Sequence, residues 1–402
     1  MTLNLTSQAY LLAPHRALAE AVAAGPFLDT KVPFYGRVAL LTRHAAIQEM
    51  LKDSARFATD ARNAGHKYAL GIPFLPKPLK LLAENLLTLD DPDHARLRRL
   101  SDAPFRRAAI AASRQKVSAA AHRLLDEMEA SGNTDLVSGF CRRLPLRAIY
   151  DLLGFRPETE ARLNGLLDGV AGGDSLWTVL RAVMKIGQVQ DMLREEFAVL
   201  RREPRPGLVT DLVMAEAEGH RMSDNELVAM VFVLFAAGHE TTTHLLSAGV
   251  WTLLTSPGAA EQVRAMDEDA RLVAVDELMR WCTPVQMTKP RYAREDTEIA
   301  GRPYRRGEKV MALLAAGNMD PDAFADPLVL DLARRPNRHV GFGTGPHQCL
   351  GLHLARLEAE VALEALFSRY PDLAVDGDPM AVRWIARPGL RGLKRLPLRF
   401  GG

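Results

Sequence analysis

The run FVLFAAGHETTTHLL, Phe232–Leu246, lies inside a long stretch of helical periodicity, Ser223–Leu254. Its flanks are apolar, but its middle carries Gly238, His239, Glu240 and three consecutive threonines. Burying a carboxyl and several hydroxyls in an apolar helix is costly unless they find partners. Threonine hydroxyls bond back to the carbonyl one turn earlier and bend a helix. Such a helix is either a locally kinked or partly exposed core element or one whose polar insert has work to do.

Helical periodicity extends over most of the chain. It predicts helices at Arg43–Leu51, Asp93–Ser101, Arg106–Ala130, Thr134–Leu153, Pro157–Gly169, Leu176–Arg202, Val209–Glu218, Ser223–Leu254, Gly258–Trp281 and Leu350–Arg369. Ser223 and Glu226 form a Ser-x-x-Glu helix start, and Pro257 closes that helix before Gly258 opens the next. Strand signals are short: Arg37–Thr42, a series broken by turns over Pro290–Ala316, and a hairpin-like tail, LRGLKRLPLRF. No repeat or linker divides the chain. The expectation is one domain over residues 1–402, mainly α with a minor β portion, β-rich near 30–45, 285–316 and 380–400.

Nearly half of the 402 residues are hydrophobic and a quarter are charged, an ordinary globular composition with room for an enclosed ligand. A net charge of +2 without basic runs argues against nucleic-acid binding. No apolar run reaches the roughly 20 residues that span a bilayer, and the N-terminus does not read as a signal peptide. The three cysteines, Cys141, Cys282 and Cys349, form no C-x-x-C pair and suit a reducing compartment, so a cytoplasmic protein is expected.

Cys349 stands in HVGFGTGPHQCLGLHLAR, His339–Arg356. A thiolate is a soft ligand for which iron is a natural partner. Glycines at 343 and 345 let backbone approach a flat cofactor and turn N–H groups toward sulfur, which tunes the metal. The following helix would favour a thiolate at its N-terminus. A buried, inert cysteine in a glycine-rich turn is the plain alternative. A zinc site through His347, Cys349 and His353 lacks a fourth ligand and the usual spacing.

Phe342-Gly343-x-Gly345-x-His347-x-Cys349-x-Gly351 resembles the haem-binding loop of cytochrome P-450 enzymes. Two further segments resemble that family in order and spacing. Ala237-Gly238-x-Glu240-Thr241-Thr242 is similar to its oxygen-binding helix, and Glu277-x-x-Arg280 to its Glu-x-x-Arg pair, with Arg334 as the partner arginine. Leu330 stands where the family has phenylalanine. The match covers about residue 90 to the C-terminus.

The resemblance implies haem b held between the oxygen-binding helix and the helix after the cysteine, with Cys349 on the iron and dioxygen as co-substrate. Ala237, Phe342, Gly343 and Gly351 would flank the haem, while His94, Arg98, Arg291 and His347 would meet its propionates. Gly238 would leave room for dioxygen, Thr241 would bond it or an ordered water, and Glu240 would relay protons. His239 is expected to be no ligand, and Arg96 and Arg99 to be solvated. Glu277, Arg280 and Arg334 would brace the core.

The implied pocket comprises Phe232, Phe235, Ala236, Val285, Gln286 and Met287, with the segments Tyr68–Leu75 and Leu166–Ile186. It would take a hydrophobic small molecule for hydroxylation or epoxidation. The chain carries no nucleotide fingerprint or second redox module. Electrons would come from a ferredoxin or flavodoxin with its NAD(P)H-dependent reductase, docking near Arg338 and His339. A monomer is expected. A haem-based sensor or gas-binding protein, and a peroxide-driven enzyme, stay open as alternatives, although an acid–alcohol pair is what proton delivery needs.

Overall fold

The computed structural model describes residues 3–32, 35–68, 77–167, 176–217 and 220–400. Of the expected pocket segments, Tyr68–Leu75 lies outside these residues except for Tyr68, and Leu166–Ile186 lies outside them at 168–175. The chain is mainly helical, and its centre is the 32-residue helix Asp224–Thr255. The Ser223 hydroxyl accepts the Glu226 N–H while the Glu226 carboxylate accepts the Ser223 N–H, satisfying two donors at the helix start. Beyond this start most of the helix is buried, as expected for one apolar on nearly every side. It packs against Arg143–Leu153, Glu268–Cys282 and Leu352–Arg369. Among the described residues, no helix is long and apolar enough to cross a membrane.

A five-stranded sheet lies beside the helices. Its order is Phe27–Val32, Gly36–Leu41, Lys309–Ala312, Arg291–Ala293 and Phe57–Ala58. Gly36–Leu41 pairs antiparallel with Phe27–Val32 and parallel with Lys309–Ala312, Leu40 facing Leu28 on one side and Met311 on the other. This sheet joins the chain's beginning to the segment between Glu277 and Cys349.

Several expected elements divide. Arg106–Ala130 becomes the helices Arg107–Ala111 and Arg114–Ser131. Gly258–Trp281 breaks at Asp267, whose carboxylate accepts the Ala270 N–H and starts a new helix at Glu268. Thr134–Leu153 opens with a wide turn at Val137–Cys141 before the helix Arg143–Leu153. Val209–Glu218 ends as a helix at Met214 and continues in the two-residue strand Glu216–Ala217. The tail does not form a hairpin of its own: Leu398–Arg399 pairs with Ala374–Val375, and Leu390 and Leu393 bridge to Val285 and Trp384. The N-terminal helices Gln8–Leu12 and Pro14–Ala23 had no counterpart in the sequence reading.

Candidate haem and oxygen site

Glu277 and Arg280 lie one turn apart on the helix Glu268–Cys282 and are completely buried. Arg280 donates Nη2 to Glu277 Oε1 at 2.7 Å and Nε to Oε2 at 2.8 Å. Arg334 approaches the same carboxylate, Nε to Oε2 at 3.1 Å. The Asp331 N–H and the Asn337 amide complete the carboxylate's bonds at 3.0 and 3.1 Å. The two guanidiniums spend their other donors on carbonyls of residues 318 and 325–329. Burial of these charges is tolerable because each is paired and hydrogen-bonded. Asn318 carries the brace onward, donating to Thr283 and accepting the Val340 N–H at 2.9 Å each.

Val340 begins the cysteine loop. Gly343 N–H bonds Val340 O, and Cys349 N–H bonds Phe342 O, at 2.9 Å each. Gly343 and Gly345 adopt φ of +66° and +74°, conformations that side chains with a Cβ rarely take. Gly345 is also pressed against the helix His44–Lys52: a Cβ there would lie 2.4 Å from the Leu51 carbonyl oxygen. Gly351 is the residue before the helix Leu352–Arg369, and a Cβ on it would meet open space. Its N–H bonds the sulfur of Cys349. Burial pushes the Cys349 thiol up, while that N–H and the Arg98 guanidinium pull the other way.

The loop forms one wall of a mostly apolar cavity of about 370 Å³. The long helix forms the opposite wall through Val233, Leu234, Ala237, Gly238, Thr241, Thr242 and Leu245. The spacing of one, four and five residues is a single helical face. Phe232, Phe235 and Ala236 therefore do not line the cavity, a correction to the expected pocket, and Glu240, expected as a proton relay, also lies off this face. The lining positions recur as adjacent pairs every four residues, and at about 100° per residue the positions outside those pairs turn away. Phe235 instead packs against Tyr150 and His239. Gln286 is likewise turned away, accepting the Tyr10 hydroxyl at 2.7 Å, whereas Val285 and Met287 do line the cavity.

The polar insert is held locally. Thr241, Thr242 and Thr243 donate their hydroxyls to Ala237, Gly238 and His239 carbonyls at 2.7, 3.2 and 2.8 Å, and His239 Nδ1 sits 2.7 Å from Phe235 O. A Cβ on Gly238 would meet Ile149 at 3.4 Å, an ordinary contact, so backbone crowding does not require glycine there. Glu240 reaches the Arg387 guanidinium at 2.5 Å, and both side chains are partly exposed.

His94, Arg98, Arg291 and His347 all reach the cavity. His94 Nε2 is buried with no hydrogen-bond partner. Arg291 is 8% exposed and makes no hydrogen bond to any described residue. Desolvation lowers its pKa to about 10 against the opposing pull of Asp90. A buried cation and a buried ring nitrogen without acceptors fit the carboxylates of haem, and the open space at Gly351 fits a flat ring. His347 differs from the expected propionate partner. Its Nε2 lies 3.1 Å from Thr59 Oγ1, it also bonds the Leu86 backbone, and burial, with Arg291 and His94 beside it, lowers its pKa to about 2.

Sequence reasoning missed Glu358. With Gly351, Leu354 and Ala355 it forms the cavity face of the post-cysteine helix, a spacing readable in LGLHLARLEAE. It is 2% exposed, and burial raises its pKa to about 8 despite a hydrogen bond with Thr242. Its Oε2 has no partner. On the outer surface Arg335 and Arg338 are exposed, but the His339 side chain is only 7% exposed and Nδ1 accepts the Gly341 N–H. His339 is thus unavailable for docking.

A buried Glu–Arg–Arg brace, a glycine-bent cysteine loop and a threonine-bearing helix across an apolar cavity define a haem-thiolate oxygenase fold. Comparison with known proteins agrees. The family model for Cytochrome P450 matches residues 175–267 and 273–379. The polyketide biosynthesis cytochrome P450 PksS of Bacillus subtilis (strain 168) is 33% identical over 363 residues, covering 89% of this chain and 88% of that protein. Mycinamicin IV hydroxylase/epoxidase of Micromonospora griseorubida is 35% identical over 329 residues, covering 79% and 80%. The solved structure of PksS superposes with a TM-score of 0.89 at 29% identity, covering all of both chains. The chain belongs to the cytochrome P450 family. It is a monooxygenase whose cofactor is haem b and whose co-substrate is dioxygen. Its bacterial relatives take electrons from redox partners and bind small molecules.

Proposed function

We propose that this single-domain chain, a monomer of the cytoplasm, hydroxylates or epoxidises a hydrophobic small molecule. Cys349 would hold the haem iron, and a ferredoxin or flavodoxin would deliver electrons to the cysteine side. The observation that carries this reading is the opposition of Cys349 to Gly238 and Thr241 across one apolar cavity, with His94 Nε2 buried without a partner and Arg291 making no hydrogen bond to a described residue at its edge.

Haem b, when bound, supplies the dioxygen chemistry that places one oxygen atom on the substrate. The chain's own residues bind, orient and move protons. Arg98, Arg291 and His94 hold the two propionates. Val233, Leu234, Val285 and Met287 exclude water and orient the substrate. Thr241 Oγ1, already donating to Ala237 O, presents its lone pairs to the cavity and accepts a hydrogen bond there. Glu240 sits one residue away on the partly exposed face and receives protons from solvent. Glu358, kept protonated by burial, holds a second proton at Thr242.

Exposed Arg335 and Arg338 on the cysteine side offer positive charge to an acidic electron donor, an attraction that rising salt weakens. A buried acid and a threonine facing the cavity favour turnover with dioxygen over mere gas binding, which needs no proton delivery. The test is the reduced, carbon-monoxide-bound absorption spectrum, which reports a thiolate ligand, followed by substrate-dependent NADPH consumption with supplied redox proteins. A Cys349→Ser protein that keeps the thiolate spectrum overturns the reading.

A further inference from the structure

Lys289 lies two residues before Arg291 and lines the same cavity. Its backbone is fixed on the N-terminal side: Thr288 N–H bonds Ala312 O, and the Ala312 N–H bonds the Thr288 hydroxyl, at 3.0 Å each. The side chain makes no hydrogen bond or ion pair with any described residue. It is exposed by surface area, yet desolvation by the surrounding protein lowers its pKa, and no neighbouring acid counters that effect. Both observations fit an ammonium group whose free surface opens into the cavity.

The residues that line the cavity carry more positive than negative charge. Among the described residues its wall carries three side chains with a standing positive charge, Arg98, Arg291 and Lys289. The one acid on that wall, Glu358, is tucked between two helices and bonded to Thr242. Haem b brings two propionates, and two guanidiniums answer them. The porphyrin dianion and one thiolate together neutralise ferric iron. One positive charge is left over in a cavity otherwise lined by groups such as Leu87, Val233, Leu234, Val285 and Met287. An unpaired ammonium facing such a wall is costly, and a bound anion removes that cost.

We propose that Lys289 is a specificity-determining residue, and that the substrate of this cavity is an apolar molecule carrying a carboxylate that Lys289 pairs. This rests on the monooxygenase reading above and adds the chemical class of the substrate. A carboxylate at Lys289 could also belong to a haem propionate, so the test separates the two sources.

Ferric holoprotein is titrated with dodecanoate and with 1-dodecanol, binding being read from the shift of the haem absorption band and by equilibrium dialysis. The expected result is tighter binding of the acid by at least about tenfold, the scale of one hydrogen bond to a charged group. Lys289→Met should abolish that preference and leave alcohol binding within about threefold, while Lys289→Arg should retain it. Equal binding of the two probes by the wild type, binding of neither, or an acid preference that survives in Lys289→Met overturns the proposal. Haem transfer to apomyoglobin is measured alongside. Faster haem loss from Lys289→Met with an unchanged acid-to-alcohol ratio assigns the lysine to a propionate and likewise overturns it. The carbon-monoxide spectrum of the wild type reports the thiolate separately, so failure of the monooxygenase reading is seen there and not in the probe ratio.

Discussion

Arg387 Nη2 lies 2.5 Å from Glu240 Oε1, tying the acid of the long helix to the C-terminal segment. That same segment bonds the Gln286 N–H through Gly389 O at 2.8 Å and bridges Val285 through Leu390. Val285 is a cavity wall, so the segment that braces this wall also anchors the proposed proton donor. Both members of the ion pair are about 40% exposed or more, and an exposed pair contributes little to stability. Arg387→Met is expected to change the unfolding free energy by less than about 1 kcal/mol in chemical denaturation. Glu240→Gln is expected to lower turnover by about 100-fold while retaining haem, read as product formed per haem per minute with redox proteins in excess.

Glu277 receives five donor groups and is fully buried with Arg280. Glu277→Gln keeps the shape and removes the charge, leaving two guanidiniums facing a neutral amide. The expected cost is about 3–5 kcal/mol, measured by denaturant unfolding or, if no folded protein accumulates, by loss of haem-containing protein on expression.

Gly343 and Gly345 make a graded pair. Both have positive φ, but a Cβ at Gly343 would come no nearer than 4.0 Å to the atoms around it, whereas one at Gly345 would strike the Leu51 carbonyl. Gly343→Ala should cost about 1–2 kcal/mol and still bind haem. Gly345→Ala should displace the loop and lose most of the haem. Haem-to-protein absorbance ratios of the two purified variants check the order.

Glu358 gives a pH signature. Its folded pKa, about 8, stands above the ordinary 4.5, so the folded chain holds a proton that the unfolded chain has released. Between these values stability falls as pH rises, by at most about 1.4 kcal/mol per unit. Above about 8 the contribution levels off. Glu358→Gln keeps a hydrogen bond to Thr242 and removes the titration. It should therefore gain stability over the wild type more at pH 7.5 than at pH 5.5, as read from urea midpoints.

Much of the site was legible because its chemistry needs particular residues at fixed spacing. The glycines around Cys349 and the Glu277–Arg280 turn are local patterns, and local patterns survive in a one-dimensional string. Helical phase was harder. Phe232, Phe235 and Ala236 enter the expected pocket through the family resemblance, which does not fix helical phase, and a one-residue offset turns a side chain by about 100°. Partners distant in sequence were out of reach. Nothing near His347 announces Thr59, and nothing near Glu240 announces Arg387. Lys289 was passed over because its meaning lies in having no neighbour. The helix breaks at Ala112–Ser113 and Asp267 were hidden because apolar periodicity continues through them. The strand Leu398–Arg399 chose a distant partner over the local hairpin, as tertiary contacts routinely decide for short strands.

The parallel seam between Gly36–Leu41 and Lys309–Ala312 has a consequence for biogenesis. When the first strand leaves the ribosome, its mate is still some 270 residues from being made. At typical elongation rates that wait is on the order of tens of seconds, during which an apolar ribbon has one edge open. A nascent chain of this design depends on a holding chaperone, or on fast closure of the Phe27–Val32 hairpin, to reach the moment when its two ends can be stitched together.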